Sequence, residues 1–148
     1  MRIWGHPVHP ALVHFPVAFW TVAAIAYVAA AAGEAGALEI AKFANGAGLV
    51  MAVFAMVAGL LELRTIDEGS GAMRVASWHL MAMAGTWLCF LIALLMSTSA
   101  QTMIDHATAQ LIAAAGAVVG FVLMAVGGWL GGRLVYEFGI GRKAPPKP

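Results

Sequence analysis

The histidines of this chain are gathered near its start. The stretch HPVHPALVH, residues 6–14, holds three of the five histidines and two prolines, and apolar residues surround it. A neutral imidazole offers a nitrogen lone pair, and histidine is the commonest side-chain ligand of transition metals and a frequent ligand of haem iron. A fourth histidine, His79, lies in a separate apolar stretch. The first question is therefore which elements position these side chains.

Four long stretches without Asp, Glu, Lys or Arg determine the fold class. They cover residues 3–33, 43–61, 75–104 and 106–132, and a helix needs about 20 apolar residues to cross a membrane. Only 10% of the residues are charged, whereas an ordinary soluble domain carries about 25%. We predict an all-α membrane protein, an up-down bundle of four transmembrane helices forming one domain over 1–141. The predicted helices cover 10–32, 43–63, 75–97 and 108–134, and no internal repeat is apparent.

The basic residues predict the orientation of the bundle. With four spans, the two termini and the second loop share one side, which carries seven of the eight Lys and Arg residues; Lys42 alone lies on the other. Because basic loops stay in the cytoplasm, we expect both termini to be cytoplasmic and the protein to be multi-pass in a bacterial inner membrane, in contact with the lipid bilayer. Residues 142–148, rich in proline and charge, are expected to be a disordered tail.

The topology brings two histidines to one depth. His14 lies just inside the first helix and His79 near the start of the third, which runs in the same direction. In such a bundle these helices are diagonal partners about 11–14 Å apart, which suits two imidazoles on opposite faces of a haem iron. We therefore predict haem b bound by His14 and His79 in a cytochrome b-like protein that transfers electrons and exchanges them with quinone. This favours an electron-transfer subunit over a self-contained enzyme.

Other residues at this end could complete a haem site. Arg74 and Arg133 are candidate partners of the propionates, because a guanidinium matches a carboxylate. His9 and Tyr136 are candidates for the outer shell of the cofactor. Gly128 and Gly132 could give the porphyrin clearance, although small residues at this spacing also serve simple close packing of helices. The arginines could equally be topology-setting residues at the headgroups.

Two further hypotheses remain open. His6, His9, His14 and His79 could form a non-haem site for copper, zinc or iron, since imidazole suits all three. Alternatively the histidines only bridge helices, and the protein is a structural or assembly subunit of a respiratory complex. Oligomers are compatible with each hypothesis.

Several functions have no support in the sequence. There is no P-loop, no H-E-x-x-H, no C-x-x-C-H and no catalytic triad, and no basic cluster beyond the tail suggests nucleic acid. No chain of ionisable residues crosses the bilayer, which argues against an ion pump. His106 follows Asp105, which we expect to cap the fourth helix. Cys89, the single cysteine, excludes an internal disulfide.

The opening HPVHPALVHFPVAFW and the closing GGWLGGRLVYEFGIG resemble a family of small bacterial four-helix predicted membrane proteins of unknown function. The matching positions are His6, Pro7, His9, Pro10, His14, Phe15, Pro16, His79, Gly131, Gly132, Leu134, Val135, Tyr136, Gly139 and Gly141. Related proteins carry this module fused to Rieske-type iron–sulfur or c-type cytochrome domains. The resemblance therefore implies electron transfer, here with a redox partner on a separate chain.

Overall fold

The computed structural model describes residues 2–3, 6–98 and 104–141, and only the backbone of the four strand residues among them. The tail 142–148 therefore lies outside the described residues. The elements in chain order are β1 Arg2–Ile3, β2 His6–Pro7, α1 Val8–Leu12, α2 His14–Ala31, α3 Ala37–Leu63, α4 Gly71–Thr98 and α5 His106–Tyr136. The two short strands pair antiparallel.

The described chain has four segments long and apolar enough to cross a membrane. They are Val8–Ala31, formed by α1 and α2, then α3, α4 and α5, with 24, 27, 28 and 31 residues. This confirms the all-α, four-span prediction. The second and third spans begin earlier in the chain than predicted, at Ala37 and Gly71, because charged residues near helix ends remain helical.

A single residue, Val13, separates α1 from α2. Pro16 explains the interruption. Proline has no backbone N–H to donate to the carbonyl four residues earlier, and its ring collides with that carbonyl, here the one of Leu12. Val13 still donates to the carbonyl of His9, at 3.1 Å, so the chain continues in the same direction. The first span is therefore one continuous helical segment whose regular hydrogen bonding is interrupted at Val13.

The core of the bundle is made largely of alanine. Fully buried alanines occur in every long helix, and they allow close approach of the backbones; they include Ala23, Ala41, Ala93, Ala113 and Ala117. Large apolar side chains point outward instead, for example Ile25 and Phe43. This inverted distribution is what a lipid environment favours, because lipid tails are as apolar as the side chains themselves.

The spans form two helical hairpins. Helix α2 packs against α3, α4 packs against α5, and the hairpins join along α2–α5 and, less extensively, along α3–α4. The first and third spans are therefore diagonal, as the topology predicted.

The two hairpins repeat one another. Tyr27 and Ser97 are 70 residues apart and form a hydrogen bond; His9 and His79, and Trp20 and Phe90, have the same separation and also face each other. The second and fourth spans match at a separation of 72 residues, and seven of the eight buried residues of α5 have a buried equivalent in α3. The pairs are Ala37 and Ala109, Ala41 and Ala113, Asn45 and Ala117, Gly48 and Gly120, Ala52 and Met124, Ala55 and Gly127, and Ala58 and Leu130. A pseudo-two-fold axis thus runs along the bundle.

Candidate metal centre

Two histidines meet at one end of the bundle. The rings of His9, from α1, and His79, from α4, have centroids 6.4 Å apart and planes at 89° to one another. Both side chains are partly buried. The two residues are equivalent in the repeat, so the pair lies at the pseudo-two-fold axis. The pair lies at the end of the bundle where the first and third spans begin. The sequence predicted that the histidines of these two spans would lie at the same depth.

Each imidazole is fixed by a bond to the partner helix of its own hairpin. Nδ1 of His9 lies 2.8 Å from the carbonyl oxygen of Ala55, and Nδ1 of His79 lies 2.8 Å from that of Gly127. Since a carbonyl only accepts, each Nδ1 carries the hydrogen and donates it. The lone pair of the neutral ring is then on Nε2. Among the side chains described, those of residues 8–98 and 104–141, neither Nε2 has a hydrogen-bond partner.

Two glycines make these bonds possible. In an α-helix the side chain four residues after a carbonyl lies beside that oxygen. The residues four after Ala55 and Gly127 are Gly59 and Gly131. A Cβ on Gly59 would lie 3.0 Å from Cε1 of His9, and one on Gly131 would lie 3.3 Å from Cε1 of His79. In each hairpin, therefore, a glycine one turn after the carbonyl leaves room for the imidazole to reach the carbonyl oxygen.

The structure does not place His14 opposite His79. The side chain of His14 is exposed, and its Nδ1 lies 3.4 Å from the carbonyl oxygen of Ala11 on its own span. His79 faces His9 instead, which the sequence had placed in the outer shell. The side chain of His6 lies outside the described part of the structure, so its membership of the cluster stays a prediction. The described residues contain no group of three or more His, Cys, Asp or Glu suited to a metal.

None of the other predicted site residues in the described part forms a hydrogen bond to the histidine pair. Arg74 and Tyr136 are exposed, Tyr136 by 81%. The single Nε–H of Arg133 is shared between both carboxylate oxygens of Glu137, at 2.9 and 3.0 Å, and Nη2 donates to one of them at 2.8 Å. The guanidinium carbon also lies 5.2 Å from the ring centroid of Trp129. The Arg133 guanidinium lowers the pKa of Glu137. The Arg133 guanidinium, which was expected to bind a haem propionate, is therefore hydrogen-bonded to Glu137 instead.

Gly128 and Gly132 face open space, with no atom within 4 Å of a Cβ built on either. The glycines beside the imidazoles are Gly59 and Gly131. At the opposite end, Asp105 caps α5 as predicted, accepting from the backbone N–H of Thr108 at 2.9 Å, and His106 is exposed beside it.

Sequence reasoning missed the residues that orient the histidines. Ala55 and Gly127 contribute only backbone oxygens, which carry no signal in their side chains. It also passed over a buried polar cluster of Tyr27, Asn45 and Ser97. Here a signal existed, because a polar side chain such as Asn45 within an apolar stretch is costly and commonly has a purpose.

Comparison with known families supports the resemblance. Residues 5–144 match the family described as "Predicted membrane protein (DUF2231)". The chain belongs to this family. It is therefore a membrane protein, in agreement with its four apolar spans. No curated protein and no solved structure matches the chain significantly.

Proposed function

We propose that this protein binds a single metal ion between His9 and His79, inside the membrane and at the axis of the bundle. The observation that carries the proposal is the state of the two rings. Each Nδ1 is committed to a helix carbonyl, which leaves each Nε2 with a free lone pair. Histidine ligands of metals are held in just this way, with the second ring nitrogen bonded to a carbonyl or carboxylate.

The separation of the rings suits one shared ion. A metal lies about 2 Å from an imidazole nitrogen, and that nitrogen lies about 1 Å from the ring centre, so two imidazoles on opposite sides of a metal have centres about 6 Å apart. The observed separation is 6.4 Å. The proposal requires that both Nε2 atoms point into the space between the rings.

The number of ligands favours copper. Imidazole suits copper, zinc and iron, but zinc in proteins takes four ligands or three and a water. The described residues offer two imidazoles here and no group of three or more His, Cys, Asp or Glu. Copper(I), a d¹⁰ ion, accepts two nitrogen ligands in a line and needs no third. A copper-binding membrane protein is therefore the function that this site supports best.

Haem b is the second candidate, with His9 replacing His14 as the partner of His79. The same 6.4 Å separation and the perpendicular rings suit the two axial ligands of a haem iron. The porphyrin would extend towards α3 and α5, where the imidazoles now lie against Gly59 and Gly131. Haem therefore requires these helices to move outward, whereas a bare ion does not. In this case the protein would be an electron-transfer subunit, serving quinone or a separate Rieske-type or c-type redox protein.

Metal analysis of the purified full chain tests the proposal. The protein is expressed with added copper and, separately, with a haem precursor, purified in detergent, and examined by elemental analysis and absorption spectroscopy. We expect one copper per chain, and two nitrogen neighbours at about 2 Å in X-ray absorption. A sharp band pair after reduction, with stoichiometric iron, would favour haem over copper. A protein that holds neither metal would leave the histidines as bridges between helices, in a structural subunit.

Matched variants separate binding from folding. In His9→Asn and His79→Asn, the side-chain amide nitrogen takes the place of Nδ1 and still donates to the carbonyl, but nothing replaces Nε2. These variants are expected to fold and to lose the metal. His14→Ala and His106→Ala change exposed histidines and should retain it. Copper bound equally by His79→Asn and the unchanged chain would contradict the proposal.

A further inference from the structure

The repeat is broken at one place in the core. In the half of the bundle away from the histidines, the first hairpin has Trp20, Asn45 and Tyr27 where the second has Phe90, Ala117 and Ser97. All three polar side chains of the first hairpin are buried, Asn45 completely. The second hairpin has a phenylalanine, an alanine and one small hydroxyl at these positions, whereas the first has an indole, an amide and a phenol. This difference concentrates polar groups at the axis.

The hydrogen bonds of this cluster have one consistent direction. The amide nitrogen of Asn45 donates both of its hydrogens, to the hydroxyl of Tyr27 at 3.1 Å and to the carbonyl of Phe90 at 2.8 Å. The hydroxyl of Ser97 donates to the carbonyl of Leu94 at 2.9 Å. Tyr27 must therefore donate to Ser97, at 3.0 Å. Because a carbonyl requires a donor, the amide of Asn45 cannot be flipped.

Two polar atoms are left over. Oδ1 of Asn45 and Nε1 of Trp20 are buried, and neither has a hydrogen-bond partner in the described part of the chain. Buried polar groups in proteins are almost always bonded, and an unbonded one is costly. The two atoms are complementary, since the amide oxygen only accepts and the indole nitrogen only donates.

The two atoms also lie in the same region. Nε1 of Trp20 is 2.7 Å from a Cβ built on Gly48, and Gly48 follows Asn45 by three residues on α3, so the two share a helix face. Both Trp20 and Asn45 contact Phe90, the first by ring stacking at 4.9 Å and the second through the carbonyl bond. The indole nitrogen and the amide oxygen therefore lie at neighbouring positions on one face of α3, and both residues approach the same phenylalanine.

We propose that this cluster is a binding site for one water molecule, which accepts a hydrogen bond from Nε1 of Trp20 and donates one to Oδ1 of Asn45. The site extends the line of polar groups that runs through Tyr27 to Ser97. It lies in the core at the axis, and it involves neither His9 nor His79. The water completes the hydrogen bonding of a polar group that the second hairpin lacks.

NMR of the full-length protein, labelled with ¹⁵N-tryptophan in lipid nanodiscs, tests the proposal. The indole signal of Trp20 is assigned by its loss in Trp20→Phe, or, if that variant does not fold, by elimination with phenylalanine at the other four tryptophans. A cross-relaxation peak between this indole hydrogen and water is expected. Trp87 provides the internal control, because its indole donates to the carbonyl of Leu49 at 3.4 Å and should show no such peak. An observed Trp20 signal without a water peak would overturn the proposal.

A double-mutant cycle gives a second measurement. Trp20→Phe and Asn45→Ala each install the residue found at the equivalent position of the second hairpin. If one water links them, the effects on the unfolding equilibrium constant should be non-additive by about threefold or more. The cycle of Trp129→Phe with Asn45→Ala should be additive, since Trp129 is exposed on another helix. Additive effects in both cycles would also count against the shared water.

Discussion

The indole ring of Trp20 lies parallel to the phenyl ring of Phe90, with centroids 4.9 Å apart and an angle of 3° between the planes. These two residues occupy equivalent positions in the two hairpins. Each also lies over a glycine of its own hairpin, Trp20 over Gly48 and Phe90 over Gly120. The stacked pair therefore joins the hairpins at the axis, and the glycines let both rings reach it.

Phe90→Ala should destabilise the bundle strongly. The side chain is fully buried, and removing a buried phenylalanine costs about 3–5 kcal/mol because a cavity remains. Thermal unfolding in detergent measures the change. Phe43→Ala is the control, since Phe43 is 76% exposed and should change stability by less than about 0.5 kcal/mol. Equal effects of the two substitutions would show that the pair does not join the hairpins.

Gly59→Ala and Gly131→Ala should each destabilise the protein by about 1–3 kcal/mol and weaken metal binding. The added methyl group would press on an imidazole that cannot move without losing its bond to the helix carbonyl. Denaturation and copper titration of each variant test this.

Gly128→Ala is the matched control for the glycine substitutions. Gly128 lies beside Gly127 on α5 but faces open space, so the substitution should be neutral or stabilise the helix by up to about 1 kcal/mol. A loss of metal in Gly128→Ala, with none in Gly131→Ala, would contradict the assignment of Gly131 as the residue that admits the imidazole.

The cap of α5 should make part of the stability depend on pH. The backbone N–H and hydroxyl of Thr108 donate to Asp105 and lower the pKa of its carboxyl. A carboxyl with a lowered pKa stabilises the folded state above its ordinary pKa of about 4 and loses this contribution as pH falls through the lowered value. Asn caps helices as well as Asp but does not titrate. Asp105→Asn should therefore retain stability at neutral pH and remove this dependence on acid.

Single cysteines test the predicted orientation in a Cys89→Ala background. Glu34→Cys lies between the first two spans and Glu68→Cys between the second and third, both at exposed positions. If the side rich in Lys and Arg is cytoplasmic, an impermeant maleimide added to intact cells should label Glu34→Cys and spare Glu68→Cys. The opposite pattern would reverse the orientation and place the histidine pair on the outer side.

Composition and hydropathy were sufficient to predict four spans, the diagonal relation of the first and third, and the depth of the histidines. They could not select between His9 and His14. These residues are five apart, about 140° around a helix, so at most one of them faces the bundle axis. His9 and His14 also lie at nearly the same depth in the membrane, within about two helical turns of each other. The choice depends on which face of the first span packs inward, and an all-apolar span gives no amphipathic signal for this.

The partners of the histidines were beyond sequence reasoning for a different reason. A helix carbonyl is present at every residue, and only packing makes the one at Ala55 or Gly127 accessible. The repeat was hidden in a similar way, because it conserves which positions are buried more widely than it conserves the residues at those positions. Asn45 and Ala117, or Tyr27 and Ser97, share a place in the fold without sharing chemistry.

The two hairpins enter the membrane with the same orientation, since each contains two spans and ends on the side where it began. When two such units are joined end to end, the basic residues of both remain on the same side of the membrane. If a unit had three spans, a second copy joined to the first would cross the membrane in the opposite orientation. Its Lys and Arg residues would then have to move to the loops at its other end. Two copies of one such hairpin, related by the same axis, would bring two identical histidines face to face, as His9 and His79 face each other here.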